Sequence, residues 1–154
     1  MKSVVLTLAI VVSLFAGPLL VQAEDDEVEL IRSMFAADKK VLVANTMQFS
    51  DQESKAFWPV YNDYQQAMRK VNDRKIKLIT DYVKGYETLT DDKAKVMLKE
   101  SMDVDKEKLA LKRTWVKKFS KVLTPKRVAR YFQLENKIEV LVNAELAKNI
   151  PLVK

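Results

Sequence analysis

The sequence predicts an all-α protein of four helices, built around a long, kinked antiparallel helical hairpin. Three observations carry that expectation. Gly and Pro are scarce, 2 and 4 in 154 residues, and no Asn-Gly or Asp-Gly pair marks a β-hairpin turn. Apolar residues recur at spacings of three and four, the helical period. Hydroxyl and acidic residues stand where helices would need their first N–H groups capped.

The first helix is expected over residues 26–46. Leu30, Met34, Ala37, Val41 and Ala44 lay one apolar stripe along it. Glu24, Asp25, Asp26, Glu27 and Glu29 crowd its start, where negative charge suits the helix dipole. The second helix opens on a capping box, Ser50 with Glu53. A heptad follows: Phe57, Tyr61, Tyr64, Met68, Val71, then Lys75, Leu78, Tyr82, Gly85 and Leu89. Ile76, Ile79, Val83 and Tyr86 are expected to widen the buried face in its second half. From residue 51 to about 87 such a helix is roughly 55 Å long. Pro59 removes one backbone bond inside it, so the chain either kinks near residues 55–59 or forms a short separate helix at 51–57.

Thr90 caps the third helix, with Asp91 and Asp92 at the positive end of its dipole. Leu98, Met102, Leu109, Val116, Phe119 and Leu123 form its main stripe, interrupted by Asp105 and Lys112. Val104, Leu111, Trp115 and Val122 form an adjoining one. The link to the second helix is so short that the two should run antiparallel. Thr124 caps the fourth helix, Pro125 takes the favoured first position, and Leu123 and Val128 sit where a hydrophobic staple closes. Tyr131, Leu134, Ile138 and Leu141 carry its stripe, and Pro151 prevents continuation beyond about residue 149.

Residues 1–23 read as a cleavable secretory signal. Lys2 is their only ionisable side chain, residues 4–16 are apolar, Gly17 and Pro18 break the run, and Val21-Gln22-Ala23 offers a cleavage site. The rival reading is a membrane anchor, but the run falls short of the ~20 residues a span needs. Cleavage leaves residues 24–154 as a single helical domain, exported to the periplasm and not membrane-spanning.

Composition excludes much chemistry. There is no Cys, hence no disulfide, thiolate nucleophile or iron–sulfur cluster, and no His, hence no Ser-His-Asp triad or histidine metal site. With Gly85 the one glycine after residue 23, no glycine-rich phosphate loop exists. No cofactor is expected. Asp103, Asp105 and Glu107 resemble the start of a calcium loop, but its central Gly is missing and alternate residues on a helix share no face. Glu135 and Glu139 share a face, yet a bridged metal pair needs Glu-x-x-His partners. Glu135 and Asp105 lie on or beside apolar stripes, and structural pairing is the plainer role for both. The serines lack any neighbouring base but Lys. An enzyme is not the expected class. The rings of Phe57, Trp58, Tyr61, Tyr64, Tyr82 and Tyr86 read as core at heptad spacing, with a client-binding groove as the alternative.

The least average feature is basic. The net charge is +6, and residues 112–130 hold Lys112, Arg113, Lys117, Lys118, Lys121, Lys126, Arg127 and Arg130 without one acid. Lys126 and Arg127 stand at a helix start, where the dipole disfavours them. Two readings follow: neutralisation by the acidic 24–29 stretch together with solubility, or an external acidic partner. Export argues against nucleic acid as that partner.

Two segments are alike: Phe49-Ser50-Asp51-Gln52-Glu53 and Leu123-Thr124-Pro125-Lys126-Arg127. Each is a hydrophobe, a hydroxyl cap and a helix start. The pair resembles the twin LTxxQ motifs of the Spy/CpxP-like periplasmic proteins, with Glu53 and Arg127 standing where the motif has Gln. More closely, residues 47–64 (MQFSDQESKAFWPVYNDY) and 123–153 resemble a widespread group of exported bacterial proteins whose role is uncharacterised. The resemblance implies a long bent helical hairpin with flanking helices, often dimerising into a cradle. It implies an ATP-independent chaperone or envelope-stress adaptor that holds unfolded or acidic clients. The alternative it offers is a dedicated regulatory partner of an inner-membrane stress sensor. Metal-sensing relatives rely largely on His and acidic ligands, and this chain has no His.

Overall fold

The structure is a computed structural model that describes residues 21–153, with side chains described from residue 33 onward. The expected export segment, apart from the backbone of residues 21–23, lies outside the described residues, as do the acidic side chains of 24–29. The described residues form four α-helices and no strand: α1 (Val21–Met47), α2 (Asp51–Gly85), α3 (Asp91–Phe119) and α4 (Pro125–Ala147). A single 3₁₀ turn, Tyr86–Thr88, joins α2 to α3. Helix α2 runs unbroken through Pro59, so residues 51–57 are its first turns and not a separate helix. The chain divides into two compact units.

The first unit joins residues up to Gln48 with Arg130–Asn149. Among its described residues the buried ones are Val43, Met47, Tyr131 and Glu135. Glu135, at 8% exposure, receives Lys39 Nζ at 2.8 Å and the Tyr131 hydroxyl at 3.0 Å. A carboxylate held this far from water needs such partners, and the structural role expected of Glu135 is the one observed. The expected apolar stripe of α1 is not the buried one, for Met34 and Val41 face solvent. The inward row is Lys39, Val43 and Met47. A charged residue in an inward row hides that row from a search for apolar periodicity. Helix α1 ends on Gln48, whose φ of 47° is left-handed and whose N–H still bonds Ala44 O at 3.0 Å.

The second unit, Phe49–Ala129 with Ile150–Lys154, holds the hairpin of α2 and α3. Helix α2 buries Phe57, Tyr61, Tyr64, Met68 and Val71, the first five heptad positions. Against them α3 sets Val104, Trp115 and Phe119. The rings pack closely: Phe57 on Phe119 at 5.5 Å, Tyr64 on Trp115 at 5.7 Å and Tyr64 edge-on to Phe119, also at 5.7 Å. These residues are core and not groove. Toward the tip burial fades, and Leu78, Ile79, Tyr82 and Val83 are only half-buried. The expected widening fails at Ile76, which is exposed. There the two helices are tied by charge: Arg74 bonds Glu100 at 2.6 Å and also pairs with Glu107. Tyr82 donates to Pro151 O at 2.8 Å.

The main apolar stripe expected on α3 is outward along most of its length. Leu98, Met102, Leu109 and Val116 are exposed, while the adjoining row of Val104, Leu111 and Trp115 faces α2. Two neighbouring apolar faces competed for one partner helix. The face carrying Trp115 won because large rings bury the most apolar area.

This phase assignment has a direct test. Phe119→Ala should lower stability by about 3–5 kcal/mol in urea unfolding, the usual cost of deleting a buried ring. Leu98→Ala, on the exposed stripe, should shift it by no more than about 0.5 kcal/mol. Equal costs would place α3 in the other phase.

Candidate functional site

The basic block gathers around the turn that joins α3 to α4. Helix α3 closes with Lys117 and Lys118 in its last turn, where cations suit the dipole. The turn is tightened by bonds from Val122 N and Leu123 N to Phe119 O, at 3.0 and 2.9 Å. Leu123 and Val128 are buried at the positions expected of the staple. Thr124 O accepts the first helical bond of α4, from Val128 N at 2.9 Å. Phe119 and Leu123 thus anchor the turn inward, and the charged residues between and beside them face out. Arg113, Lys117, Lys121 and Lys126 are exposed.

Lys118, Arg130 and Arg127 are engaged within the fold. Lys118 Nζ lies 3.8 Å from the Trp115 ring centroid, a cation–π contact. Arg130 donates to Thr46 O at 3.0 Å. Arg127 pairs with Glu53 at 2.7 Å and lies over the Phe49 ring at 5.2 Å. Lys112 is half-buried on α3. The block that reads as continuous in sequence is therefore, in space, an exposed basic turn plus a few fastening residues.

The Arg127 pair joins the two alike segments. Ser50 Oγ accepts from Glu53 N at 3.3 Å, and Ser50 N donates to Glu53 Oε2 at 3.0 Å, which completes the expected capping box. The other carboxylate oxygen of Glu53, Oε1, takes the Arg127 guanidinium. So the fifth residue of one segment meets the fifth residue of the other, and the first residue of the earlier segment, Phe49, packs against the same guanidinium. The opposite charges at these two positions were visible in the sequence, but nothing in the spacing said that they would meet. Thr90 caps α3 as expected, accepting from Lys93 N at 3.4 Å.

Three acids of α3, Glu100, Asp103 and Glu107, are engaged with cations, while Asp105 is exposed. Asp103 receives Lys99 Nζ at 2.7 Å. That hydrogen bond and the Lys99 charge hold the Asp103 carboxyl below its usual range. Hydrogen bonding to Glu100, with the charges of Glu100, Glu107 and Asp103, pushes Arg74 further up. Among the described residues no cluster of three or more acids could hold a metal ion. A shallow hollow on α4 is lined by Asn136, Lys137, Val140 and Leu141. No helix among the described residues is long and apolar enough to cross a membrane. No family model matches the chain, and neither does any curated protein or solved structure.

Three measurements check this geometry. Ser50→Ala should cost about 0.5–2 kcal/mol. A double-mutant cycle of Glu53→Gln with Arg127→Gln should show a coupling of about 0.5–1 kcal/mol, as expected of a partly exposed pair. Zero coupling would mean that the two segments are held together by packing alone. The Asp103 contribution has a defined sign. A carboxyl whose pKa falls on folding stabilises the protein above its ordinary value of about 3.9 and loses that effect as pH drops through the folded value. Asp103→Asn should therefore flatten the melting temperature against pH below about pH 4 and change its shape little near neutrality.

Proposed function

We propose that the protein is a periplasmic helical binding protein that holds acidic or partly unfolded polypeptides without a cofactor, as an ATP-independent chaperone or envelope-stress adaptor. The observation that supports this best is the pairing of two exposed features in one unit. A basic turn of Arg113, Lys117, Lys121 and Lys126 stands beside exposed large apolar side chains on α3. Positive charge speeds encounter with acidic chains over distances of about a Debye length. Exposed apolar groups then supply short-range affinity. Periplasmic placement rests on the composition of residues 1–23, and the resemblance to Spy/CpxP-like proteins points the same way.

The test is suppression of aggregation of several unrelated acidic clients by the purified protein at near-stoichiometric ratios. Protection of several clients supports the proposal. Protection of none, with capture of a single sensor ectodomain, would favour a dedicated regulator instead. Changing Arg113, Lys117, Lys121 and Lys126 to Gln should slow client association several-fold at low salt and leave dissociation nearly unchanged, because rim charges act mainly on encounter. The fold should survive, since these residues are exposed and Gln keeps reasonable helix propensity. Arg127 and Lys118 are left out because they fasten the fold. Equal association rates for the parent and the four-fold variant would remove the turn from the mechanism.

A further inference from the structure

Resting on the binding role proposed above, we infer that the outward flank of the α2–α3 hairpin is a docking strip for one amphipathic helix with an acidic edge. Four α3 side chains define it: Leu98 at 60% exposure, Met102 at 63%, Leu109 at 52% and Val116 at 38%. At about 100° per residue they fall within a strip about 40° wide and about 27 Å long. Their spacing of four, seven and seven is that of a coiled-coil seam. The Arg74 pairs with Glu100 and Glu107 mark the opposite flank of the hairpin. On α2, Ile76 lies about 160° around from Arg74, hence on the strip's flank, and the same ion pairs bring it level with Met102. Ile76 is 45% exposed. One helix of a hairpin has thus kept a second seam after using its first on α2.

Charge chooses among the occupants. Lys95, Lys106, Arg113 and Lys117 are exposed and lie along the strip's outer edge, about 20–60° beyond it. A second copy is disfavoured. Antiparallel pairing of two such seams is symmetric about residue 107, which sets the two basic edges side by side with Lys106 near the dyad. An anionic bilayer is disfavoured by Asp105, an exposed carboxylate at the strip's inner edge, and by the aromatic rings, most of which pack inward and do not anchor an interface. A helix with apolar residues at heptad spacing and Glu or Asp along one edge satisfies both the strip and its basic border.

The experiment uses the purified protein and two labelled peptides of one composition. One has Leu at heptad positions and Glu along one edge; the other is the same set of residues scrambled. Anisotropy titration should show the patterned peptide binding at least about tenfold more tightly, with a gain in helical circular dichroism. Met102→Gln with Leu109→Gln should abolish that preference while leaving the melting curve within a few degrees of the parent. Equal binding of both peptides, or an unaffected double variant, overturns the inference. So does a dimer in sedimentation equilibrium that the double variant dissolves, which would seat a second copy on the strip. Binding to phosphatidylethanolamine–phosphatidylglycerol vesicles that the variant loses would seat lipid there and overturn it too. Aggregation suppression is measured in parallel: if clients are still protected while the peptide result is negative, the strip fails and the chaperone reading stands.

Discussion

The packing of α2 rings against Trp115 and Phe119 sets where everything else in the second unit lies. Phe57, Tyr61 and Tyr64 occupy successive seam positions, and their partners sit in the last two turns of α3. That places the end of α3 alongside the start of α2. The tight turn through Leu123 then returns the chain so that α4 begins beside the Ser50 cap, close enough for Arg127 to reach Glu53. The basic turn is carried out to solvent as a consequence of its own anchors, Phe119 and Leu123, being buried. A change in ring packing would move the turn, the cap and the strip together.

Glu53 illustrates how one carboxylate can serve two elements. One oxygen closes the capping box and the other meets a guanidinium that also lies on the Phe49 ring. The desolvation of each group is offset by the same small network, so its members depend on one another more than separate pairs would. The first unit uses the same economy at Glu135, which joins α1 to α4 through Lys39 and holds Tyr131.

Much of this was legible from residue order. Four helices, the caps at Ser50 and Thr90, the staple at Leu123 and Val128, and the antiparallel hairpin follow from capping chemistry and from the scarcity of Gly and Pro. These are local features, fixed by residues a few positions apart and by the length of short links. Helix phase was less legible. On α3 two apolar faces lie side by side, and periodicity measures the existence of a face, not which one meets a partner. On α1 the inward row includes Lys39, whose charge is neutralised only by a residue 96 positions away. Arg74, which ties the hairpin together, carries no sequence signal, because an Arg and two Glu on separate helices are unremarkable until the register is known. The basic block is a run in sequence, but the run mixes exposed cations with fasteners such as Arg127.

Burial along the hairpin is graded from one end to the other. The ring-packed end is buried, while the tip beyond Val71 is only half-buried or exposed, and the Arg74 ion pairs cross between the helices at its base. Local opening energies follow such gradients. Amide protons near Phe57 and Phe119 should therefore be the slowest of this unit to exchange. Those around Thr80 to Val96 should exchange faster through fraying of the tip, and added salt should widen the difference by weakening the Arg74 pairs. The hairpin is built like a clothes-peg, with a stiff spring at its aromatic end and jaws that ionic strength should help to loosen.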